Sequence, residues 1–259
     1  MKYNLAILGQ GISYSLSPKI HPVIGDLINE EITYELKDIE RQDLAQAVLA
    51  LKNHEYQGYN VTKPYKEIII DHIENLSDVA KKLQAVNTLF IKDGMVYGDN
   101  TDVFGFEYLL DYYRIQVSQK RVLILGTGGA AKAVCHVLKE RGALITYASR
   151  NVLKEMDKKV ISYDEINPDD VDIYINATPI GTYPNMNDAV LKQEQVTNQI
   201  IIDLIYRPSQ TKLMSFAKTS YNGFVMLLAQ AIKSEMLWLN KPLNIHDILD
   251  RLKEVIIYE

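Results

Sequence analysis

The chain lacks most of the groups that staple small secreted scaffolds together. Cys135 is the only cysteine among 259 residues, so no internal disulfide can form. Five histidines (His21, His54, His72, His136, His246) are scattered, no two at helical i, i+4 spacing, and no Cys/His cluster has zinc spacing. A metal is therefore not expected. Positive charge shows no excess: 28 Lys+Arg stand against 33 Asp+Glu, a net charge of −5. That balance argues against sequence-independent nucleic-acid binding, which needs clustered cations to neutralise phosphate. No run of about 18 apolar residues occurs, so no membrane span is expected. The first ten residues lack the apolar run and small-residue cleavage site of a signal peptide. The expected compartment is the cytoplasm. With 13 Gly and 8 Pro, collagen-like or disordered composition is excluded as well.

What remains is ordinary for a soluble globular protein, 47% apolar and 24% charged. At roughly 150 residues per domain the length suits one large domain or two modest ones. Strand and helix signals alternate. Leu5–Leu8 reads as a buried strand stopped by Gly9, and Ser17-Pro18 as a helix start with Ser17 as cap and Pro18 at the first helical position. Ile20, Val23, Ile24, Leu27 and Ile28 follow at helical spacing. Thr33–Leu36 and Gly58–Val61 are strand candidates on either side of a helix marked by Leu44, Val48, Leu49 and Leu51. This order predicts a mostly parallel α/β sheet. A second α/β run starts at Arg121, where Val122–Leu125 has the continuous apolar character of a strand buried on both faces. Further strands are expected at Leu144–Tyr147, Ile173–Ile175 and Ile200–Leu204. The economical division is two units split near residues 102–120.

The strongest local signal is Gly126-x-Gly128-x-x-Ala131 between a buried strand and a helix. The first glycine permits a tight turn, the second lets the backbone approach a pyrophosphate, and the small third residue lets helix pack on strand. Free N–H groups at the helix start then face the anion. The same residues also make a plain strand-to-helix turn. At the end of the next strand, where an NAD site usually places Asp or Glu, stands Ala148-Ser149-Arg150-Asn151. A guanidinium in place of a carboxylate favours the 2′-phosphate of NADP. A solvated loop arginine is the alternative.

The N-terminal half carries polar clusters at strand ends: Ser13–Ser17, Asn60-Val61-Thr62, Ala85-Val86-Asn87-Thr88 and Gly98–Asp102. Open α/β sheets place ligand crevices there, and a neutral lining suits a polyhydroxylated substrate, since each ligand hydroxyl both donates and accepts. Taken singly, each cluster reads better as turn and cap chemistry.

Together these residues resemble the successive motifs of the shikimate dehydrogenase family. The resemblance rests on Ser15-x-Ser17-Pro18, Asn60-Val61-Thr62-x-Pro64-x-Lys66, Ala85-Val86-Asn87-Thr88 and Asp99-Asn100-Thr101-Asp102 in the first half. Gly126-x-Gly128-Gly129-Ala130, Asn176-Ala177-Thr178 and Met226-Leu227-Leu228-x-Gln230-Ala231 continue it in the second. The match is collinear from about residue 5 to residue 240. It implies a two-domain α/β enzyme: a discontinuous substrate domain (1–103 plus 240–259, with a C-terminal helix near Asn244–Ile256) and a Rossmann-type NADP domain (104–239). Linking helices are implied at Asp102–Arg114 and Gly223–Leu239, with closure of a cleft around the reactants. The implied reaction is NADPH-dependent reduction of 3-dehydroshikimate to shikimate, in aromatic amino-acid biosynthesis.

Carried over by motif, Lys66 is the implied acid/base and Asp102 its partner. Implied substrate contacts are Ser15, Ser17, Thr62, Asn87, Asp102, Tyr206 and Gln230, with Asn60 nearby. Implied cofactor contacts are Gly126, Thr127, Gly128, Gly129, Ala130, Ser149, Arg150, Asn151, Thr178, Leu204 and Gly223, with Asp78 a further candidate. The segments 151–160 and 216–222 are shorter than the family pattern, and Thr182-Tyr183-Pro184 departs from it. Two other readings fit the residues: a relative that also takes quinate or NAD, and a non-catalytic NADP(H)-binding sensor. The sensor has no need of an acid/base pair. Cys135 reads as a small core residue of the helix after the glycine loop. Trp238 and the apolar pattern from Ile245 to Ile256 read as helix packing or a subunit contact, leaving a monomer or homodimer.

Overall fold

A computed structural model describes residues 2–151 and 159–256; the segment whose shortness bears on the 2′-phosphate loop lies largely outside these residues. The chain forms two compact units, residues 2–105 with 228–256, and residues 106–227.

The first unit is built on a six-stranded sheet: β1 (Lys2–Gly9), β2 (Glu31–Asp38), β3 (Gly58–Val61), β4 (Asn75–Leu76), β5 (Thr88–Lys92) and β6 (Met95–Asp99), in the order β2-β1-β3-β5-β6-β4. Its helices are α1 (Ser17–Ile28), α2 (Leu44–Lys52), α3 (Asp78–Leu83), the start of α4 (Thr101–Tyr112), the carboxyl half of α6 (Phe224–Trp238) and α7 (Ile245–Val255). Strand β1 is central, which is why its apolar run does not alternate with polar residues. Ala6 and Leu8 pack with Leu44, Val48 and Leu51 of α2, while Leu5 and Ile7 pack with Ile32, Tyr34 and Trp238 on the other face. Each fully buried aliphatic side chain contributes about 1.5–3 kcal/mol.

Strands β1, β2 and β3 run parallel, as the alternation of elements predicts. The second half of the sheet differs: β5 runs antiparallel to both β3 and β6. Asp93-Gly94, both at positive φ, form the two-residue turn between β5 and β6, since Lys92 pairs with Met95. That turn matches the right-handed twist of the flanking strands and favours Asp-Gly. A second correction concerns α1. Leu16 already has helical dihedrals and occupies the cap position, so Ser17 is the first helical residue and Pro18 the second. Ser17 is buried, and its N–H donates to the Ser15 hydroxyl.

The second unit holds an all-parallel sheet in the order β12-β11-β10-β7-β8-β9. Its strands are β7 (Arg121–Leu125), β8 (Leu144–Ala148), β9 (Val160–Ile161), β10 (Ile173–Asn176), β11 (Ile200–Asp203) and β12 (Thr219–Asn222), and α5 (Gly129–Glu140) follows β7 directly. Strand order reverses between β7 and β10, the switch point where such sheets bind ligands at their carboxyl ends. Strands β9 and β12, one at each edge, extend the predicted set. Cys135 is buried in α5, as expected.

The breaks between units fall inside α4 and inside α6, so Gln230, Ser234 and Trp238 belong with the first sheet rather than ending the second unit at residue 239. Trp238 shows why. Its indole N–H donates to the Leu89 carbonyl (2.8 Å), and Gly58 leaves room for the ring, since a Cβ there would lie 2.0 Å from Nε1. Among the described residues no helix is long and apolar enough to cross a membrane.

Candidate active site

Strand register assembles the polar clusters of the first unit. Leu8 pairs with Val61, Asn60 with Thr88, and Thr88 with Asp99, so the ends carrying the sequence motifs line up along one sheet edge. Gly9 and Thr62 come close there: a Cβ on Gly9 would meet the Thr62 methyl at 2.6 Å. The Ser15 hydroxyl accepts from the Ser17 N–H (3.3 Å), which ties these two serines into one turn before α1.

Lys66 follows β3 and is held by its neighbour. Tyr65 is buried, donating its hydroxyl to the Ile39 carbonyl at 2.6 Å, and the Lys66 carbonyl accepts from the Val86 N–H at 2.7 Å. The Lys66 ammonium then donates to Asp102 Oδ2 at 2.5 Å. Asp102 stands in the first turn of α4, where the helix dipole favours a negative charge. Two asparagines satisfy the free N–H groups at this helix start. Asn87 Oδ1 accepts from the Thr101 N–H (2.7 Å), and Asn100 Oδ1 from the Asp102 N–H (3.2 Å). Asn87 Nδ2 in turn donates to Asp102 Oδ1 at 2.9 Å. Both carboxylate oxygens of Asp102 are therefore engaged, one by an amide and one by the lysine. The pair stays reachable, with side-chain exposures of 21% for Lys66 and 11% for Asp102.

Behind this pair lies a buried hydroxyl and amide network to which Ser234, outside the sequence motifs, contributes. Thr88, Thr101 and Ser234 have their oxygens within 3.0–3.3 Å of one another. Thr101 also donates to Gln230 Oε1 at 3.4 Å. Gln230, Ser234 and Trp238 recur every four residues, so they share one face of α6 and the Trp238 anchor places the other two. That spacing is the signal in the sequence that could have found Ser234. Asn60 lies beside these groups. It is buried, its Oδ1 accepts from Tyr34 (2.6 Å), and its Nδ2 donates toward Asn87 O, Thr88 Oγ1 and Ser234 Oγ at 3.1–3.3 Å. Its amide is engaged within the protein, supporting the residues around it. Tyr206 lies in the second unit, half-buried in the segment after β11.

The second unit brings most of the cofactor candidates to the carboxyl edge of its sheet. Gly126 ends β7 at φ +96°, and a Cβ there would meet the Thr178 methyl at 2.8 Å. Gly128 caps α5 with nothing within 4 Å of its would-be Cβ, leaving its backbone open to a ligand. Ala131 is buried where the helix packs on its strand. Ser149 Oγ accepts from the Asn151 N–H at 3.2 Å after β8, and Arg150 is exposed between them. Gly223 approaches Leu204 so closely that a Cβ would lie 2.1 Å from its carbonyl oxygen.

Asp203, fully buried at the end of β11, organises this edge. It accepts from Asn176 Nδ2 (3.0 Å), the Thr211 hydroxyl (2.7 Å) and the Ile205 N–H (3.1 Å). Asn176 Oδ1 accepts from Thr178 N–H and hydroxyl at 3.0 and 2.7 Å. Burial pushes the Asp203 carboxyl up to about 6, although its three donors pull the other way. Asp78 stands apart from this set: it begins α3 in the first unit, 95% exposed, 3.9 Å from Lys81.

Residues 7–89 match the family model described as the shikimate dehydrogenase substrate binding domain. A shikimate dehydrogenase (NADP(+)) of Clostridium beijerinckii is 35% identical over 90% of both chains. The crystal structure of shikimate dehydrogenase 1 from Peptoclostridium difficile is 34% identical, with a TM-score of 0.87 over 98% of this chain and 97% of that one. Shikimate 5-dehydrogenase of Thermus thermophilus, solved with NADP(H) and shikimate, is 26% identical, with a TM-score of 0.87 over 98% and 100% of the chains. The chain belongs to the shikimate dehydrogenase family.

Proposed function

We propose that this protein catalyses the reversible NADPH-dependent reduction of 3-dehydroshikimate to shikimate, in the shikimate pathway of aromatic amino-acid biosynthesis. The observation that carries the reading is the line Asn87–Asp102–Lys66, an ammonium held at 2.5 Å by a carboxylate that is itself fixed by an amide at 2.9 Å. When bound, NADPH supplies the hydride. Its addition to a ketone carbon leaves negative charge on oxygen, and Lys66 Nζ stabilises that charge and delivers the proton. Asp102 holds the ammonium in place and accepts from a substrate hydroxyl. In the oxidative direction Lys66 takes the proton back.

Ser15, Ser17, Thr62, Asn87, Tyr206 and Gln230 supply the hydroxyl and amide partners of the substrate. The unit of β1–β6 is the substrate-binding domain, and the unit of β7–β12 the NADP-binding domain. Gly126–Ala130 cradle the pyrophosphate at the α5 start, which the open space at Gly128 suits. Ser149, Arg150 and Asn151 take the 2′-phosphate, and Thr178, Leu204 and Gly223 line the remaining edge. Asp78 has no part in this reading. The enzyme works on small molecules in the cytoplasm, as a monomer or homodimer. Incubation with 3-dehydroshikimate and NADPH, followed by identification of the product by mass and NMR, tests the reading. Shikimate in equal amount to the NADPH consumed supports it; NADPH binding with no product under any condition is the behaviour of the sensor.

A further inference from the structure

The floor of the first unit holds a polar group that the mechanism leaves unused. Tyr34 on β2 is 8% exposed and turns its hydroxyl into the site. It donates to Asn60 Oδ1 at 2.6 Å. On the His21 side the ring is backed by that residue, stacked at 4.1 Å between centroids and 1° between planes. Trp238 packs obliquely on both rings, 5.3 Å from His21 and 6.4 Å from Tyr34. His21 is itself clamped: fully buried, its Nδ1 lies 2.6 Å from Oε1 of the fully buried Glu235. Glu235 follows Ser234 on α6, so one helix supplies both the clamp and a member of the hydroxyl network.

An asparagine amide is fixed in one orientation only when its oxygen and nitrogen meet different partners. Hydroxyls such as those of Thr88, Ser234 and Tyr34 accept or donate with equal ease, but the Asn87 carbonyl only accepts, so the end of Asn60 that faces it at 3.3 Å is Nδ2. Tyr34 then holds the other end. Its buried hydroxyl stays protonated and donates to Oδ1 at 2.6 Å, which fixes where the amide sits. Nδ2 then faces Thr88 and Ser234 as a donor. Thr88, receiving that proton, is left to donate to Asn87 Oδ1 at 3.0 Å. Asn87 Oδ1 already takes the Thr101 N–H, and its Nδ2 holds Asp102.

We propose that Tyr34 is a positioning residue of the active site: its hydroxyl, held in place by the ring stacked on His21, fixes Asn60 and through it the Asn87–Asp102 partners of the substrate. The inference rests on the reading of the site as a shikimate-binding one.

The test is a double-mutant cycle on shikimate oxidation with NADP⁺, comparing the parent chain with Tyr34→Phe, Asn60→Ala and the double variant. Tyr34→Phe keeps the ring stack and removes only the hydroxyl. The expected result is a KM for shikimate raised about tenfold, the scale of one lost buried hydrogen bond, with the KM for NADP⁺ unchanged. The double variant is expected to lose no more in kcat/KM for shikimate than Asn60→Ala alone, because Tyr34 acts through Asn60. Melting curves and the unchanged KM for NADP⁺ identify the variants that fold. Losses that multiply, or a Tyr34→Phe enzyme like the parent, overturn the inference and leave the proposed function standing. A parent chain that binds but does not oxidise shikimate overturns both. If Asn60→Ala does not fold, Asn60→Ser takes its place in the cycle.

Discussion

Replacing Lys66 with alanine isolates the proposed acid/base from the binding groups around it. The substitution removes one cation and leaves Asp102 Oδ1 still bonded to Asn87 Nδ2, while Oδ2, in a side chain 11% exposed, turns to water. Folding therefore changes little: a partly exposed pair contributes on the order of 1 kcal/mol. Catalysis changes far more. A positioned general acid contributes roughly 10²–10⁴-fold. Stabilisation of the forming alkoxide adds to this on the scale of an oxyanion-hole donor, roughly 10²–10³-fold. The two roles share one ammonium, so the expected fall in kcat is at least about 10³-fold. Shikimate affinity, which the proposal spreads over Ser15, Ser17, Thr62, Asn87 and Gln230 as well, is expected to fall by less than about tenfold. Steady-state kinetics gives the first number and equilibrium binding of shikimate the second. A Lys66→Ala enzyme with kcat within tenfold of the parent refutes the assignment, and one that loses affinity and not kcat makes Lys66 a binding group.

Three further outcomes follow from the geometry. His21→Leu leaves Glu235 buried without its partner and is expected to cost about 3–5 kcal/mol in denaturant unfolding, whereas His21→Leu with Glu235→Leu costs less; a double variant less stable than the single contradicts this. Asp203 titrates near 6 when folded against 3.8 for the ordinary carboxyl, so its contribution to stability is fully present below the unfolded value and is lost as pH rises through 6. Relative to Asp203→Asn, the parent is expected to lose about 3 kcal/mol of stability between pH 3.5 and 7, and a pH-independent difference between the two refutes the shift. At the glycine loop the two substitutions separate: Gly128→Ala enters open space and should raise the KM for NADP⁺ without moving the melting temperature, while Gly126→Ala, at φ +96° and 2.8 Å from Thr178, should lower that temperature. Equal melting losses at both positions contradict the cradle.

Local rules carried the sequence reading where a single segment holds the whole signal. The glycine loop is one, because turn, backbone approach and helix start are all written in Gly126–Ala131. Strand β1 is another, since an unbroken apolar run has to be buried on both faces. The hairpin β5–β6 lies beyond the last strand read in the first half, although Asp93-Gly94 marks its turn. At Ser17 a serine beside a proline resembles a cap, but Leu16 before it already has helical dihedrals and takes that position. Asn60 shows the broader limit. Its motif marks a polar strand end, yet whether the amide meets substrate or protein depends on Tyr34 and Ser234, distant in sequence and brought to it by β2 and α6. Ser234 and Asp203 carry no motif of their own and gain meaning only from such long-range partners.

The central claim is tested most directly by following nicotinamide absorbance as shikimate is mixed with NADP⁺, with quinate and NAD⁺ as the crossed alternatives. The account predicts rapid formation of NADPH with shikimate, little with quinate, and a clear preference for NADP⁺ over NAD⁺. No reduction of either cofactor by shikimate, from a protein that binds NADPH, would contradict it.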